Sequence, residues 1–207
     1  MIRDHQVIYQ AAGLLLTYPD EQLIERLPLI RDAVSSTPAA ADFEPLLDHL
    51  EGAPTLRELQ EFHVAEFDLS RRHALHLTYW TDGDTRRRGE VLASLKQTYR
   101  DSGLLVDLAG ELPDYLPMVL EFAATGDAER GLAILNAYRA SLELLRIGCA
   151  EDQLPHAGVV KAICDTLPGP SPRTRAEVQA MLGDVAPTET VGLETYQLIP
   201  NPNLMGR

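Results

Sequence analysis

The sequence predicts an all-α protein, a compact single-domain helical bundle followed by a flexible C-terminal tail. Leu and Ala recur at helical spacing, while Val, Ile and Thr are scattered, which is the composition of helices rather than strands. No Asn-Gly or Asp-Gly turn falls between two alternating apolar runs, so no hairpin is signalled. A chain of 207 residues with 45% hydrophobic and 24% charged content can bury one sizeable core. Residues 1–183 are therefore expected to form the domain and 184–207 the tail.

The elements follow in order. Helices are expected over residues 4–17, 20–35 and 42–51. Thr55 and Glu58 then form a capping box ahead of Leu56, Leu59, Phe62 and Phe67, which marks another start. Further helices are expected over 84–102, 114–125, 127–148 and 156–167. In the second of these, Asp114 can cap a helix that Pro117 helps begin, with Met118, Val119 and Phe122 on its packing face and Glu121 at the flank.

Placing residues 127–148 at about 100° per step gives two apolar stripes. Ile134, Leu135, Tyr138, Leu142 and Leu145 form one; Leu132, Ala133, Ala137, Ala140, Leu144 and Ile147 form the other. Only Asn136, Arg139, Glu143 and Arg146 make a polar strip, so this helix should pack centrally. From Thr166 the run TLPGPSPRTR breaks the preceding helix, and Ser171 with Pro172 reads as a cap and first residue of a short helix to Leu182. After Gly183 no period is sustained, although Tyr196, Leu198 and Ile199 form an apolar triplet in the tail.

Charge narrows the class of partner. Eighteen basic against 31 acidic residues leave a net charge of −13, which repels nucleic acid and anionic lipid and steers a cationic partner. Apolar runs such as Ala11–Leu16 are far shorter than the roughly 20 residues needed to span a bilayer. The opening MIRDHQVIYQ carries an acid at position 4 and no basic leader segment, so a cytoplasmic location is expected. Cys149 and Cys164 form no CxxC pair and are expected as two buried thiols.

Catalytic patterns are mostly excluded. There is no G-x-S-x-G, G-x-G-x-x-G or Gly-Lys pair. None of the six histidines follows a Glu by three positions or precedes one directly, which removes the E-x-x-H and H-E-x-x-H metal patterns. His73 and His76 with Asp84 leave a metal-dependent hydrolase as a distant alternative. The plainer expectation is that both imidazoles lie at a helix edge beside Arg71 and Arg72. No metal site and no cofactor is expected. Arg88 shares an apolar arc with Val91, Leu92, Leu95 and Tyr99, so it should be partly buried against Glu66, Asp68 or Asp114. Arg86 and Arg87 point elsewhere, and their positive charge at a helix start, unfavourable for the macrodipole, favours a pairing or binding role.

The segment Glu66–Glu90, EFDLSRRHALHLTYWTDGDTRRRGE, and the later ELPDYLPMVLEF of Glu111–Phe122 carry a family resemblance. Phe67-Asp68, Gly83–Gly89 with Arg86 and Arg88, Tyr99, Glu111-Leu112-Pro113-Asp114, Leu116-Pro117 and Glu121 resemble the NarJ-type nitrate reductase assembly chaperones, relatives of TorD and DmsD. The Leu-Leu-Thr-Tyr-Pro-Asp run from Leu15 is similar to the family's start. One departure is Tyr115, where members commonly carry His. The resemblance implies a TorD-like helical fold and a non-enzymatic chaperone. It implies binding to the apo catalytic subunit of a respiratory nitrate reductase, chiefly at its N-terminal peptide, until the molybdenum cofactor is inserted. Molybdenum cofactor delivery proteins are further implied partners. The client groove is placed near Trp80, Arg86, Asp114, Tyr115, Pro117 and Glu121, with Arg88 as a structural buried charge. An acidic helical adaptor for another client is the alternative.

Overall fold

Side chains the sequence places at helix starts set three of them. Asp20 accepts a hydrogen bond from the Leu23 N–H at 2.7 Å, Thr55 from Glu58 at 3.3 Å and Asp127 from Arg130 at 3.0 Å, each satisfying a backbone donor that the first turn leaves open. The computed structural model describes residues 2–83, 86–104 and 110–181. The expected tail and Asp84 lie outside them.

In chain order the helices are α1 (Ile2–Leu15), α2 (Glu21–Ser35), α3 (Ala40–Gly52), α4 (Leu56–His63), α5 (Tyr79–Asp82), α6 (Arg86–Asp101), α7 (Leu116–Thr125), α8 (Ala128–Ala137), α9 (Arg139–Glu151), α10 (Ala157–Asp165) and α11 (Arg175–Met181). Among the described residues there is no strand, only an isolated antiparallel bridge between His76 and Tyr115. The all-α expectation therefore holds. No helix among the described residues is long and apolar enough to cross a membrane.

Close backbone approach fixes how the helices pack. A Cβ at Gly158 of α10 would lie 2.0 Å from the Asp42 carbonyl of α3, and one at Gly131 of α8 would lie 2.4 Å from Cα of Ala123 on α7. α1 lies along α7, where a Cβ at Gly13 would be 3.2 Å from the Pro117 carbonyl. Leu16, Phe43, Leu46, Leu47, Leu120, Leu135 and Leu142 are fully enclosed at the centre, and Cys149 and Cys164 are buried free thiols, as expected.

Several expectations are corrected. The single helix expected over 127–148 is two, broken at Tyr138 (φ −104°, ψ 23°). α8 packs on α7 while α9 packs among α5, α10 and α11, and one straight helix cannot do both. Of the polar strip, Asn136 is exposed, whereas Arg139 and Glu143 are buried. Glu143 accepts from Arg146 at 2.6 Å and from Ser171 at 2.7 Å, and Arg139 and Arg146 donate to carbonyls of Pro168, Gly169 and Pro172. This ion cluster ties the proline-rich segment onto α9. Ser171 is thus engaged with Glu143 rather than capping; α11 begins three residues after Pro172, where Thr174 accepts from the Glu177 N–H at 3.2 Å. Of the second stripe, Ala140 and Ile147 are buried against Val178 of α11, whereas Leu132, Ala133 and Ala137 face outward.

Candidate functional site

The residues that the family motif spans are held by one buried hub. Leu77 N–H donates to the Asp114 carbonyl at 3.0 Å and Leu116 N–H to the Leu75 carbonyl at 2.8 Å, which pins the irregular segment after α4 to the start of α7. The Asp114 carboxylate is fully buried. Its Oδ2 accepts from the Thr78 N–H at 3.0 Å and from the Thr78 hydroxyl at 2.6 Å, and its Oδ1 lies 3.4 Å from His76 Nδ1. Arg88 closes the arrangement: its Nε donates to Thr78 Oγ1 at 3.0 Å and its guanidinium reaches 3.8 Å from Asp114. Burial pushes the Asp114 carboxyl up, but the facing His76 imidazole and the hydrogen bonds from Thr78 outweigh it and hold the group below its ordinary value.

Around this hub the Tyr99 hydroxyl donates to the Pro113 carbonyl at 2.7 Å, and its ring meets Phe122 edge-on at 4.8 Å. The Trp80 indole donates to the Ala74 carbonyl at 3.0 Å. Tyr115 stands 5.5 Å from the His76 ring, and burial pushes its phenol up, with Glu111 and Asp68 adding to the shift.

The expected groove residues therefore divide. Asp114 and Pro117 are buried, Trp80, Tyr115 and Arg88 are half-buried, and Arg86 and Glu121 are exposed. Of the three carboxylates open for Arg88, the structure selects Asp114. Asp114 does not cap α7; Tyr115 occupies that position without a side-chain bond, and the carboxylate turns back to Thr78. Arg87 pairs with Asp82 at 3.3 Å. The hub is a locked ion network, in which the Thr78 hydroxyl and the Asp114 carboxylate that accepts from it are both fully buried.

His73 and His76 lie in the irregular segment between α4 and α5, not on a helix edge. His73 is buried between Glu66 and Asp152, 3.2 and 3.0 Å from its two ring nitrogens, while His76 faces Asp114. The two imidazoles thus face different carboxylates. Among the described residues no group of three or more His, Cys, Asp or Glu is placed to hold a metal ion.

Two features escaped the sequence reading. Thr78 is the centre of the hub, and nothing in its spacing marks it. A π-helical turn, Val64–Asp68, extends α4 and carries Phe67 into a cluster with four histidines. Phe67 lies 5.0 Å from His63, 6.4 Å from His73 and 4.7 Å from His156, and Phe62 stacks on His156 at 5.8 Å and meets the His49 ring at a tilt at 5.0 Å. Open depressions flank α4, one of about 300 Å³ beside Tyr18, Val64 and Leu69, and one of about 450 Å³ against α3.

Residues 33–160, which enclose the whole hub, match the nitrate reductase delta subunit family. The chain belongs to that family. A protein of Bacillus subtilis named as the nitrate reductase molybdenum cofactor assembly chaperone NarJ is 34% identical over 144 residues, 69% of this chain and 78% of that one. The nitrate reductase-like protein NarX of Mycobacterium tuberculosis is 39% identical over 160 residues, 77% of this chain. This chain spans 24% of NarX, about a quarter of its length. The NarJ assembly chaperone of Escherichia coli is 31% identical over 114 residues, 53% of this chain and 48% of that one. The NarJ relatives are named as assembly chaperones, not as catalysts. A solved structure described as a redox enzyme maturation protein from Archaeoglobus fulgidus has the same fold, with a TM-score of 0.58 over 80% of this chain and 93% of that chain at 18% identity.

Proposed function

We propose that this chain is an assembly chaperone for a respiratory nitrate reductase. It binds the apo catalytic subunit, chiefly at its N-terminal segment, keeps it open for molybdenum cofactor insertion in the cytoplasm, and leaves before the enzyme is finished. Proteins that deliver the cofactor are further partners in that step; the cofactor belongs to the client.

Family membership over residues 33–160 carries this reading, because the matched span contains the hub and every expected groove residue. The relatives' names supply the client class, and in NarX a segment similar to this chain is joined to the rest of a nitrate reductase-like polypeptide. The geometry suits holding rather than chemistry. Trp80, Arg86, Tyr115 and Glu121 form the client face, while Asp114, Arg88 and Pro117 fix that face from beneath. With a net charge of −13 the surface attracts a basic segment, whose apolar side can then dock between helices.

Calorimetric titration with a peptide from the N-terminus of the same organism's catalytic subunit tests the reading. Micromolar or tighter affinity that weakens with added salt is expected. If neither the peptide nor the intact apo subunit binds, the chaperone assignment to this client is wrong.

A further inference from the structure

The corner between α3 and α4 has features that the client face does not use. α3 ends at Gly52, the chain extends through Ala53 and Pro54, and α4 begins after Thr55. The walls of this corner enclose the depression of about 450 Å³, within the roughly 300–1,000 Å³ range of sites that take a ligand or side chains. Its floor is apolar, made by Ala53, Pro54, Leu59 and Phe62. Phe62 is fixed there by stacking on His156 and by a tilted contact with the His49 ring, so the floor is preformed.

The charged residues of the lining are acidic. Asp48 and Glu58 face the depression and no lysine or arginine lines it. Behind Asp48, the carboxylates of Glu44, Asp48 and Glu51 all converge on a single guanidinium, Arg31. Three carboxylates against one arginine leave two negative charges uncompensated, and Glu58 adds a third. The C-terminus of α3 points its last carbonyls at the same place, which further favours a cation.

We propose that this corner is a docking site for a protein segment that forms a cationic amphipathic helix, distinct from the face around Asp114. An apolar side chain of that helix enters over Leu59 and Phe62, and its lysines or arginines face Asp48 and Glu58. Anions, nucleic acid included, are repelled from such a rim. Strand addition is not available, because no sheet edge exists among the described residues; a helix laid in a groove is the mode the corner accepts.

The probe is an amphipathic helical peptide built of leucine and lysine, with a leucine–glutamate counterpart as control, titrated into the full chain and followed by backbone NMR. The lysine peptide should shift the resonances of Gly52, Ala53, Leu59 and Phe62 first, and the glutamate peptide should not. Gly52→Arg places bulk and positive charge in the mouth, and a Cβ there meets nothing within 4 Å. It should weaken binding about tenfold or more, as should Glu58→Lys, while Glu129→Lys at the exposed start of α8 leaves it nearly unchanged. Shifts spread evenly over all acidic helices, or affinities unaltered by both corner variants, overturn the proposal. Either result leaves the chaperone reading to its own titration with the catalytic-subunit peptide.

Discussion

Asp114 shows how far a residue's type can be read and where its role cannot. A carboxylate before Leu-Pro at a helix start reads as a cap, and removing a cap costs about 1 kcal/mol. Enclosed as it is, with bonds from Thr78 and with His76 and Arg88 beside it, the same carboxylate is a buried charge paired with a half-buried guanidinium. Asp114→Ala should therefore destabilise the fold by roughly 3–5 kcal/mol, the range for removing one partner of a buried pair. Urea unfolding decides: a loss near 1 kcal/mol would mean the hub is weakly coupled. Tyr99→Phe, which removes only the hydroxyl that donates to Pro113, should cost about 1 kcal/mol by the same measurement. Arg88 was legible as a half-buried charge because its neighbours on the helix are apolar. Its partner was not, since pairing across the chain leaves no periodic trace.

At the scale of elements, most helices were legible because each carries its own apolar period and several carry their own caps. What the sequence hid was the break at Tyr138, where Asn-Ala-Tyr-Arg-Ala contains neither Gly nor Pro. The break is dictated by partners: α8 must reach α7 and α9 must reach α10 and α11. The buried Arg139–Glu143–Arg146 strip was hidden for the same reason, since its cover is a proline-rich segment with no pattern of its own. Two glycines make those helix pairings possible. Gly158→Ala would press a methyl into the Asp42 carbonyl and Gly131→Ala one into the Ala123 backbone. Neither contact ends in a flexible side chain that could step aside, so the helices must move apart. Each substitution should lower stability by roughly 1–3 kcal/mol or more, although alanine is the better helix former by about 1 kcal/mol. Thermal unfolding of the two variants checks this, and a variant more stable than the parent would show that α3 or α7 yields easily.

For the molecule as a whole, two pH effects compete. The acidic surface repels itself, and protonating carboxylates would relieve that as pH falls. The histidine cluster acts the other way. Burial holds His49, His63 and His156 below the ordinary imidazole value, with His156 driven down to about 3 by its enclosure and then by neighbouring His63, His49 and His73. Unfolded imidazoles take up protons near pH 6.5. Between that value and the depressed folded values the unfolded chain binds more protons, so stability is complete above about pH 6.5 and declines as the pH falls below it. Buried nitrogens of His49 and His156 without hydrogen-bond partners make protonation in place still less favourable. In high salt, where surface repulsion is screened, the urea midpoint should therefore drop between about pH 7 and about pH 5. His156→Phe keeps a ring against Phe62 and Phe67 while removing the most depressed imidazole, so it should flatten that dependence without abolishing the fold. A midpoint equal at both pH values, or an unchanged slope in the variant, would mean that the cluster opens to water before its histidines charge.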